Sequence, residues 1–320
     1  MWLYSQQRIV AFYNLENLFD TIHDDRKNDY EYLPNSKKSW DTEKYFNKLH
    51  NMAYAISQIG EDSLRMPAVV GVAEVENVRV LNDLVKQPEL NGRFKFILEE
   101  SQDLRGIDVA LLYQEAIFRP LYHKAYPLIT DRPHFKTRNQ LLVCGVIDGD
   151  TLFILVNHWS SRLGGQTRSN PNRSAAATLT KTIVEEILQT KTNAKILVMG
   201  DFNDDPTDSS IAVVLNAADL AQKQPNSEQV LYNPATSALK MHKGSLAYRG
   251  TWNIFDQIIL SKGLIDATDK LHFVKYAICN EPFLLHQDGR YAGTPLRTYS
   301  GKDYLNGYSD HLPVFVILSQ

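Results

Sequence analysis

Short apolar runs recur along the chain, separated by longer amphipathic stretches and polar connections. Arg8–Tyr13, Ala68–Val72, Phe94–Leu98, Val109–Tyr113, Thr151–Val156, Ile196–Met199, Phe255–Leu260 and Val314–Leu318 are rich in Val, Ile and Phe, which predicts buried strands. Between them, Thr42–Ile59 sets Tyr45, Leu49, Met52, Ala53 and Ile56 at helical spacing. Asn77–Val85 and Asn172–Leu188 carry the same period, the latter with Ile183, Val184 and Ile187. Strands that are apolar throughout need cover on both faces or from a second sheet. The class is therefore α/β or α+β with a layered sheet core. Three connections are long and polar: Thr21–Ser39, Leu163–Asn172 ahead of the third helix, and Gln222–Gly250, which turns basic near its end. Loops of this length are uncommon unless functional or disordered. A length of 320 residues suggests about two domains, yet no Pro/Gly/Ser linker divides the chain.

Composition narrows the function classes. Hydrophobic residues at 43% and charged residues at 22% exclude wholesale disorder. The apolar runs are far too short to span a bilayer, so no integral membrane segment is expected. Thirty-four Lys and Arg against 37 Asp and Glu leave a net charge of −3, which excludes a whole-chain basic field but not a local patch. Two cysteines, Cys144 and Cys279, make no disulfide scaffold, and Cys144 lies in the apolar run Leu141–Ile147, which reads as core. The stretch Met1–Arg8 lacks a charged region followed by an apolar one. A soluble chain is expected, cytoplasmic as written or exported if a signal has been removed.

Polar groups concentrate where the predicted strands end. The first runs into Asn14-Leu15-Glu16-Asn17 and the second into Glu74-Val75-Glu76-Asn77. Thr151–Val156 leads to Asn157-His158-Trp159, and Ile196–Met199 to Gly200-Asp201-Phe202-Asn203. Ser309-Asp310-His311 precedes the last strand. A strand end delivers a side chain to a fixed point, so five such ends imply one convergent site. Carboxylates and amides without Cys/His ligand spacing suit a hard divalent cation rather than a structural zinc. Glu74, Asn14 and Asp310 supply the oxygen donors. Asp201 with Asn203 suits a held water beside a phosphate oxygen, and a His with a carboxylate partner suits proton transfer. This is the chemistry of phosphate-ester hydrolysis.

In order, the motifs N-L-E-N at 14–17, V-A-E-V-E-N at 72–77, N-H-W at 157–159, G-D-F-N at 200–203, F-D-Q-I-I-L-S at 255–261 and S-D-H-L-P at 309–313 resemble those of the endonuclease/exonuclease/phosphatase superfamily. That superfamily includes deoxyribonuclease I, abasic-site endonucleases, neutral sphingomyelinases and inositol polyphosphate 5-phosphatases. The resemblance implies an α+β fold, a four-layer α/β/β/α sandwich of two packed mixed sheets, formed as a single domain over 1–320. It also implies Mg²⁺ or Mn²⁺ as cofactor, with Glu74 the principal ligand and Asn14 and Asp310 in support. By the same resemblance Asp201 orients or deprotonates the attacking water and Asn203 contacts phosphate. His311 is the catalytic imidazole, Asp256 its carboxylate partner, and His158 a phosphate stabiliser; the resemblance leaves the role of general base to either Asp201 or His311. Glu16 falls where abasic-site enzymes carry an Asp.

Other polar residues have plainer readings. Glu76 is expected exposed or supporting, beside Asn77 as a helix N-cap. Trp159 is expected in the core; for Asp108, His158 and Arg105 are candidate partners, with neither pairing favoured. His23, His50, His123, His134, His242, His272 and His286 follow no ligand spacing. Among Arg162, Arg168 and Arg173, one is expected to clamp phosphate, with Lys240, Lys243 and Arg249 extending a local basic patch. G-D-F-N is followed by Asp204-Asp205-Pro206 rather than the Tyr-Arg of the inositol 5-phosphatases, and their Pro-x-Trp-Cys-Asp-Arg signature is absent. Together with the lack of a membrane-docking apolar loop, this favours a nuclease acting on DNA or RNA. The alternatives are a phosphatase or sphingomyelinase-like phospholipase, and a catalytically silent binding module.

Overall fold

The computed structural model describes residues 6–320 apart from 62–63, 131, 133, 224–228, 249 and 269. Arg249 and the N-terminal stretch through Ser5 thus lie outside the described residues. Strict alternation over residues 9–13 of the strand Gln7–Leu18 sets the architecture: Ile9, Ala11 and Tyr13 face one way and Val10 and Phe12 the other, and both sets are buried. A strand buried on both faces must lie between two layers.

That strand is central in a six-stranded mixed sheet, ordered His272–Ile278, Val314–Ser319, Gln7–Leu18, Val69–Val75, Asp108–Gln114, Phe94–Leu98. A seven-stranded mixed sheet is ordered Ala217–Asp219, Leu231–Asn233, Asp256–Ser261, Lys195–Asp201, Asp150–His158, Gln140–Ile147, Phe118–Tyr126. The sheets pack face to face through Val10, Phe12, Leu111, Val156, Leu197 and Met199. Gly71 permits the close approach, because a Cβ there would stand 2.6 Å from the Met199 sulfur. Helix Thr42–Gln58, with Val78–Val85, covers the outer face of the first sheet, and helix Gln166–Thr190 covers that of the second. The result is the four-layer α/β/β/α sandwich.

Phe118–Tyr126 and His272–Ile278 lack a clean apolar run and escape the sequence pattern, as do the short strands Ala217–Asp219 and Leu231–Asn233, the latter inside the connection expected over Gln222–Gly250. The first two are edge strands, mostly half-buried or exposed, and Phe118–Tyr126 contains Pro120. Edge strands are commonly polar because only one side is covered. The third helix starts at Gln166, six residues ahead of the apolar periodicity. Its early positions largely face solvent, so no hydrophobic repeat marks them. No helix among the described residues is long and apolar enough to cross a membrane.

Topology places the site. Gln7–Leu18 runs parallel to Val69–Val75, and Asp150–His158 parallel to Lys195–Asp201, so four strand C-termini share one edge. Asp256–Ser261 and Val314–Ser319 are antiparallel to their neighbours and therefore begin at that edge.

Candidate active site

Local backbone distortion aims the side chains at this edge. The pairing of Gln7–Leu18 slips between Asn14 and Leu18, where Glu16 and Asn17 take left-handed φ values of 49° and 52°. Val69–Val75 slips between Ala73 and Val75, with Glu74 at φ 62°, and Asn203 sits at φ 52°. Bulges turn a side chain out of the regular alternation, and non-glycine residues in this region are strained unless their surroundings hold them. Here the holding bonds are visible. The Asn17 N–H donates to Glu74 Oε2 at 2.8 Å, and the Asn203 N–H to Asp201 Oδ1 at 2.9 Å.

Asp201 is the hub. Asn14 Nδ2 donates to its Oδ2 at 3.0 Å, His158 Nε2 lies 3.5 Å away and His311 Nε2 3.9 Å away. On the far side of the imidazole, His311 Nδ1 is 2.7 Å from Asp256 Oδ2, which also accepts from the Ser245 hydroxyl at 2.6 Å. Ser309 braces this loop: its hydroxyl donates to the Asn14 carbonyl at 2.7 Å and accepts from the His311 N–H at 3.1 Å. Glu74 Oε1 stands 3.8 Å from His158 Nε2 and 4.0 Å from Arg105. The edge thus gathers Asn14, Glu74, His158, Asp201, Asn203, Asp256, Asp310 and His311 around one locus.

Burial and neighbouring charge separate the protonation behaviour of these groups. Burial pushes the Asp201 carboxyl up to about 7, with Asp256 adding to the rise and His311 opposing it. The His311 imidazole is buried, which disfavours its charge, but Asp256 and Asp201 outweigh that and raise it well above the ordinary value. His158 goes the other way: burial, then Arg138 and Arg105, hold it well below the usual range. Two imidazoles at one edge are therefore prepared for opposite roles, one cationic and one neutral.

Glu16 is turned away from Asp201. Its Oε2 accepts from the Thr298 N–H at 2.7 Å and hydroxyl at 2.8 Å, with the buried Lys48 ammonium 3.6 Å away. Burial and the charge of Asp310 raise its carboxyl to about 7. The expected arginine clamp has other partners. Arg173 is wholly buried, its Nε 2.7 Å from Asp204, so it meets no phosphate arriving from solvent. Arg162 binds Asp208 at 2.6 Å, Asp204 at 3.2 Å and the Asn203 carbonyl at 2.8 Å. Arg168 lines a separate shallow depression with Arg132 and Asn172. Lys240 is paired with Asp219.

Several neighbours carry no sequence signal. Arg297 donates to Asp310 Oδ2 at 2.8 Å, and Arg105 to Asn17 Oδ1 at 2.6 Å. Arg138, Ser245 and Lys48 reach the site from segments with no motif of their own. Asp108 accepts from the Ser101 N–H rather than from His158 or Arg105. Glu76 is buried and accepts from the Asp20 N–H at 2.7 Å, while Asn77 caps its helix through Val80. Trp159 is core, edge-on to Phe202.

The profile of the Endonuclease/Exonuclease/phosphatase family matches residues 9–320, nearly the whole chain. The chain belongs to this family. No curated protein matches. Among solved structures, a family member from Bacteroides thetaiotaomicron superposes with a TM-score of 0.58 at 17% identity, covering 98% of each chain. TDP2 from D. rerio, complexed with a single-strand DNA product, gives 0.54 at 14%, covering 98% of this chain and 99% of that one. ANGEL2, a 2',3'-cyclic phosphatase, gives 0.62 at 13%, covering 98% and 95%. At such identities the likeness establishes the fold, the deoxyribonuclease I-like sandwich. Family membership makes the chain a phosphoester hydrolase, of the nuclease or phosphatase kind.

The family also implies a divalent metal, and the donors here fit one. Glu74 Oε1 is committed to no hydrogen bond among the described residues, and Asp310 lends a second carboxylate, the type of oxygen a hard cation takes. The Asn14 amide oxygen is engaged by the Glu16 N–H at 2.9 Å. Asp201, Asp256 and His311 also bring ligand-type atoms within 4.8 Å of one another, but His311 and Asp256 are bonded to each other there.

Proposed function

We propose that the chain, acting as one catalytic domain over 1–320, is a Mg²⁺- or Mn²⁺-dependent phosphodiesterase, and that its substrate is DNA or RNA. The observation that carries this reading is the line Asp256–His311–Asp201. One imidazole is bonded at 2.7 Å through Nδ1 and turns Nε2 toward a second carboxylate 3.9 Å away. Such a line suits hydrolysis, in which one group must take a proton while another gives one.

Asp201 is the base. Its Oδ2 is oriented by Asn14 and its Oδ1 by the Asn203 N–H, and a carboxyl near 7 has the basicity to take a proton at neutral pH. The oxygen of the attacking water bonds to phosphorus while its proton passes to Asp201. The opposite phosphorus–oxygen bond breaks, and the leaving oxygen takes a proton from His311 Nε2. Asp256 keeps the imidazole charged and aligned, as a carboxylate partner does elsewhere. His158 and the second hydrogen of the Asn203 side-chain amide, whose nitrogen also donates to the Trp159 carbonyl at 3.1 Å, stabilise the phosphoryl oxygens. Glu74, Asp310 and Asn14 would hold the divalent ion, which when bound neutralises phosphate charge.

Nucleic acid is favoured over a lipid or inositol phosphate because D. rerio TDP2 was crystallised with a single-strand DNA product on this fold. The sequence also lacks the 5-phosphatase signatures. The test is turnover of single-stranded and plasmid DNA, RNA, sphingomyelin, inositol phosphates and bis-p-nitrophenyl phosphate, each with Mg²⁺, Mn²⁺ or EDTA. Metal-dependent cleavage of a nucleic acid ahead of the other esters is expected. Brisk turnover of sphingomyelin or an inositol phosphate with none of DNA or RNA overturns the substrate assignment.

A further inference from the structure

A groove of about 640 Å³ is lined by residues of helix Ala235–Lys240 and of the edge strand His272–Ile278. Its volume falls in the range of small-molecule sites. Its lining includes Leu312, the residue after His311, and Trp252. Trp252 lies in the hairpin Leu246–Tyr248/Thr251–Asn253, in register with Ala247. Leu246 of the same hairpin bridges to His311. The Leu312 N–H donates to the Ser245 carbonyl at 2.6 Å, and the Ser245 N–H to Asn253 at 2.8 Å. Ser245 in turn holds Asp256. The groove is therefore bonded into the backbone that carries the proton-transfer residues.

From this placement we propose that the groove is a subsite for a nucleobase of a single-stranded nucleic-acid substrate, with Trp252 as stacking surface and Lys243 on the adjoining phosphate. The inference rests on the nuclease reading above. Trp40 and Trp159 are buried, whereas Trp252 is partly exposed in the groove wall. Gly244 lets the indole lie against the chain, since a Cβ there would stand 2.7 Å from the Trp252 ring. Lys240 and Lys275 at the margins are neutralised by Asp219 and Glu61, but exposed Lys243 has no carboxylate partner among the described residues. A partly exposed aromatic beside an unpaired cation is the combination that binds single strands: the ring takes any base and the ammonium takes backbone charge. An extended peptide adding to the edge strand His272–Ile278 is the competing occupant. It would make no use of that charge.

The test uses the full chain in EDTA, titrated with a single-stranded oligodeoxynucleotide of about ten nucleotides and with an abasic oligonucleotide of equal length. The base-containing strand is expected to change tryptophan emission and bind about tenfold or more tighter than the abasic one. Trp252→Ala should abolish the emission change and bring the two affinities together, while Trp252→Phe should keep the preference for bases. Equal binding of both strands by the unaltered protein overturns the proposal, as does an emission change that survives Trp252→Ala. A response to a Val/Ile-rich extended peptide and none to the oligonucleotide does the same. Metal-dependent turnover of bis-p-nitrophenyl phosphate separates the two readings. Turnover without base-dependent binding removes the subsite alone, and base-dependent binding without hydrolysis of any diester removes the catalytic assignment alone.

Discussion

Asn14 Nδ2 donates to Asp201 Oδ2 at 3.0 Å, across 187 positions of sequence and from one sheet to the other. The same asparagine accepts from the Glu16 N–H and, through its carbonyl, from the Ser309 hydroxyl. One residue thus ties together the bulge that carries Glu16, the proposed base and the loop that carries Asp310 and His311. The site stands on the contact between the two sheets, and its geometry depends on their packing.

Removing the charge of Glu74 tests the metal assignment. Glu74→Gln keeps the shape and one acceptor for the Asn17 N–H, yet takes away the anionic oxygen a hard cation needs. Mg²⁺ affinity by calorimetry and kcat/KM should fall together, by roughly 100-fold or more. An unchanged titration with activity intact would remove Glu74 from the metal site.

The pH–rate profile tests the division of labour between Asp201 and His311. With Asp201 raised to about 7, kcat/KM should rise with pH through that value as the carboxylate becomes available. His311 is raised well above its ordinary value, so the loss of rate as it deprotonates lies on the alkaline side. Asp256→Asn removes the charge that supports the imidazolium, so the alkaline limb should move to lower pH and the rate should drop. His311→Ala should cost more, about 10²–10⁴-fold, with the fold preserved. An imidazole titration by NMR that does not move in Asp256→Asn would break the pairing.

Asp108 sets a pH dependence of stability away from the site. Its carboxyl is buried and pushed up to about 7. Because the folded state holds this proton more tightly than the unfolded chain, its contribution to stability is full below about 4 and is lost as pH rises through about 7. Asp108→Asn keeps an acceptor for the Ser101 N–H without the charge. Its denaturation midpoint should therefore fall less between pH 5 and pH 8 than that of the unaltered protein. A difference between the two proteins that stays constant over that range would refute the assignment.

Arg173 and Asp204 form an ion pair that is wholly inside the protein, with Ser210 also donating to Asp204 at 2.6 Å. Arg173→Ala removes the wholly buried partner and leaves the Asp204 carboxylate only Arg162, 3.2 Å away at the protein's surface, and the Ser210 hydroxyl, so a loss of about 3 kcal/mol in urea denaturation is expected. Replacing both partners, as in Arg173→Met with Asp204→Leu, should recover part of that loss. If Arg173→Ala retained full stability and only weakened substrate binding, Arg173 would belong to the phosphate site after all.

Much of this was legible in the chain, for identifiable reasons. Central strands such as Ile196–Met199 are buried on both faces, so their positions read as continuous apolar runs, and the polar residues ending them mark one edge. Edge strands such as Phe118–Tyr126 are covered on one side only, and their pattern dissolves into that of a loop. The early turns of helix Gln166–Thr190 face solvent and show no period for the same reason.

The sequence by itself determined the layered α+β class, the order of the strand-end motifs and the chemical types gathered there. Those follow from local periodicity and residue chemistry. Tertiary structure decided the partners. An arginine in a Gly-rich segment looks the same whether it faces solvent or, like Arg173, meets Asp204 in the interior. Arg297, Arg105 and Lys48 likewise gain their place beside Asp310, Glu74 and Glu16 only when distant segments meet. Long side chains reach across the fold, and no spacing along the chain records where they end, because the interaction is set by distance in space and by burial, which only packing creates.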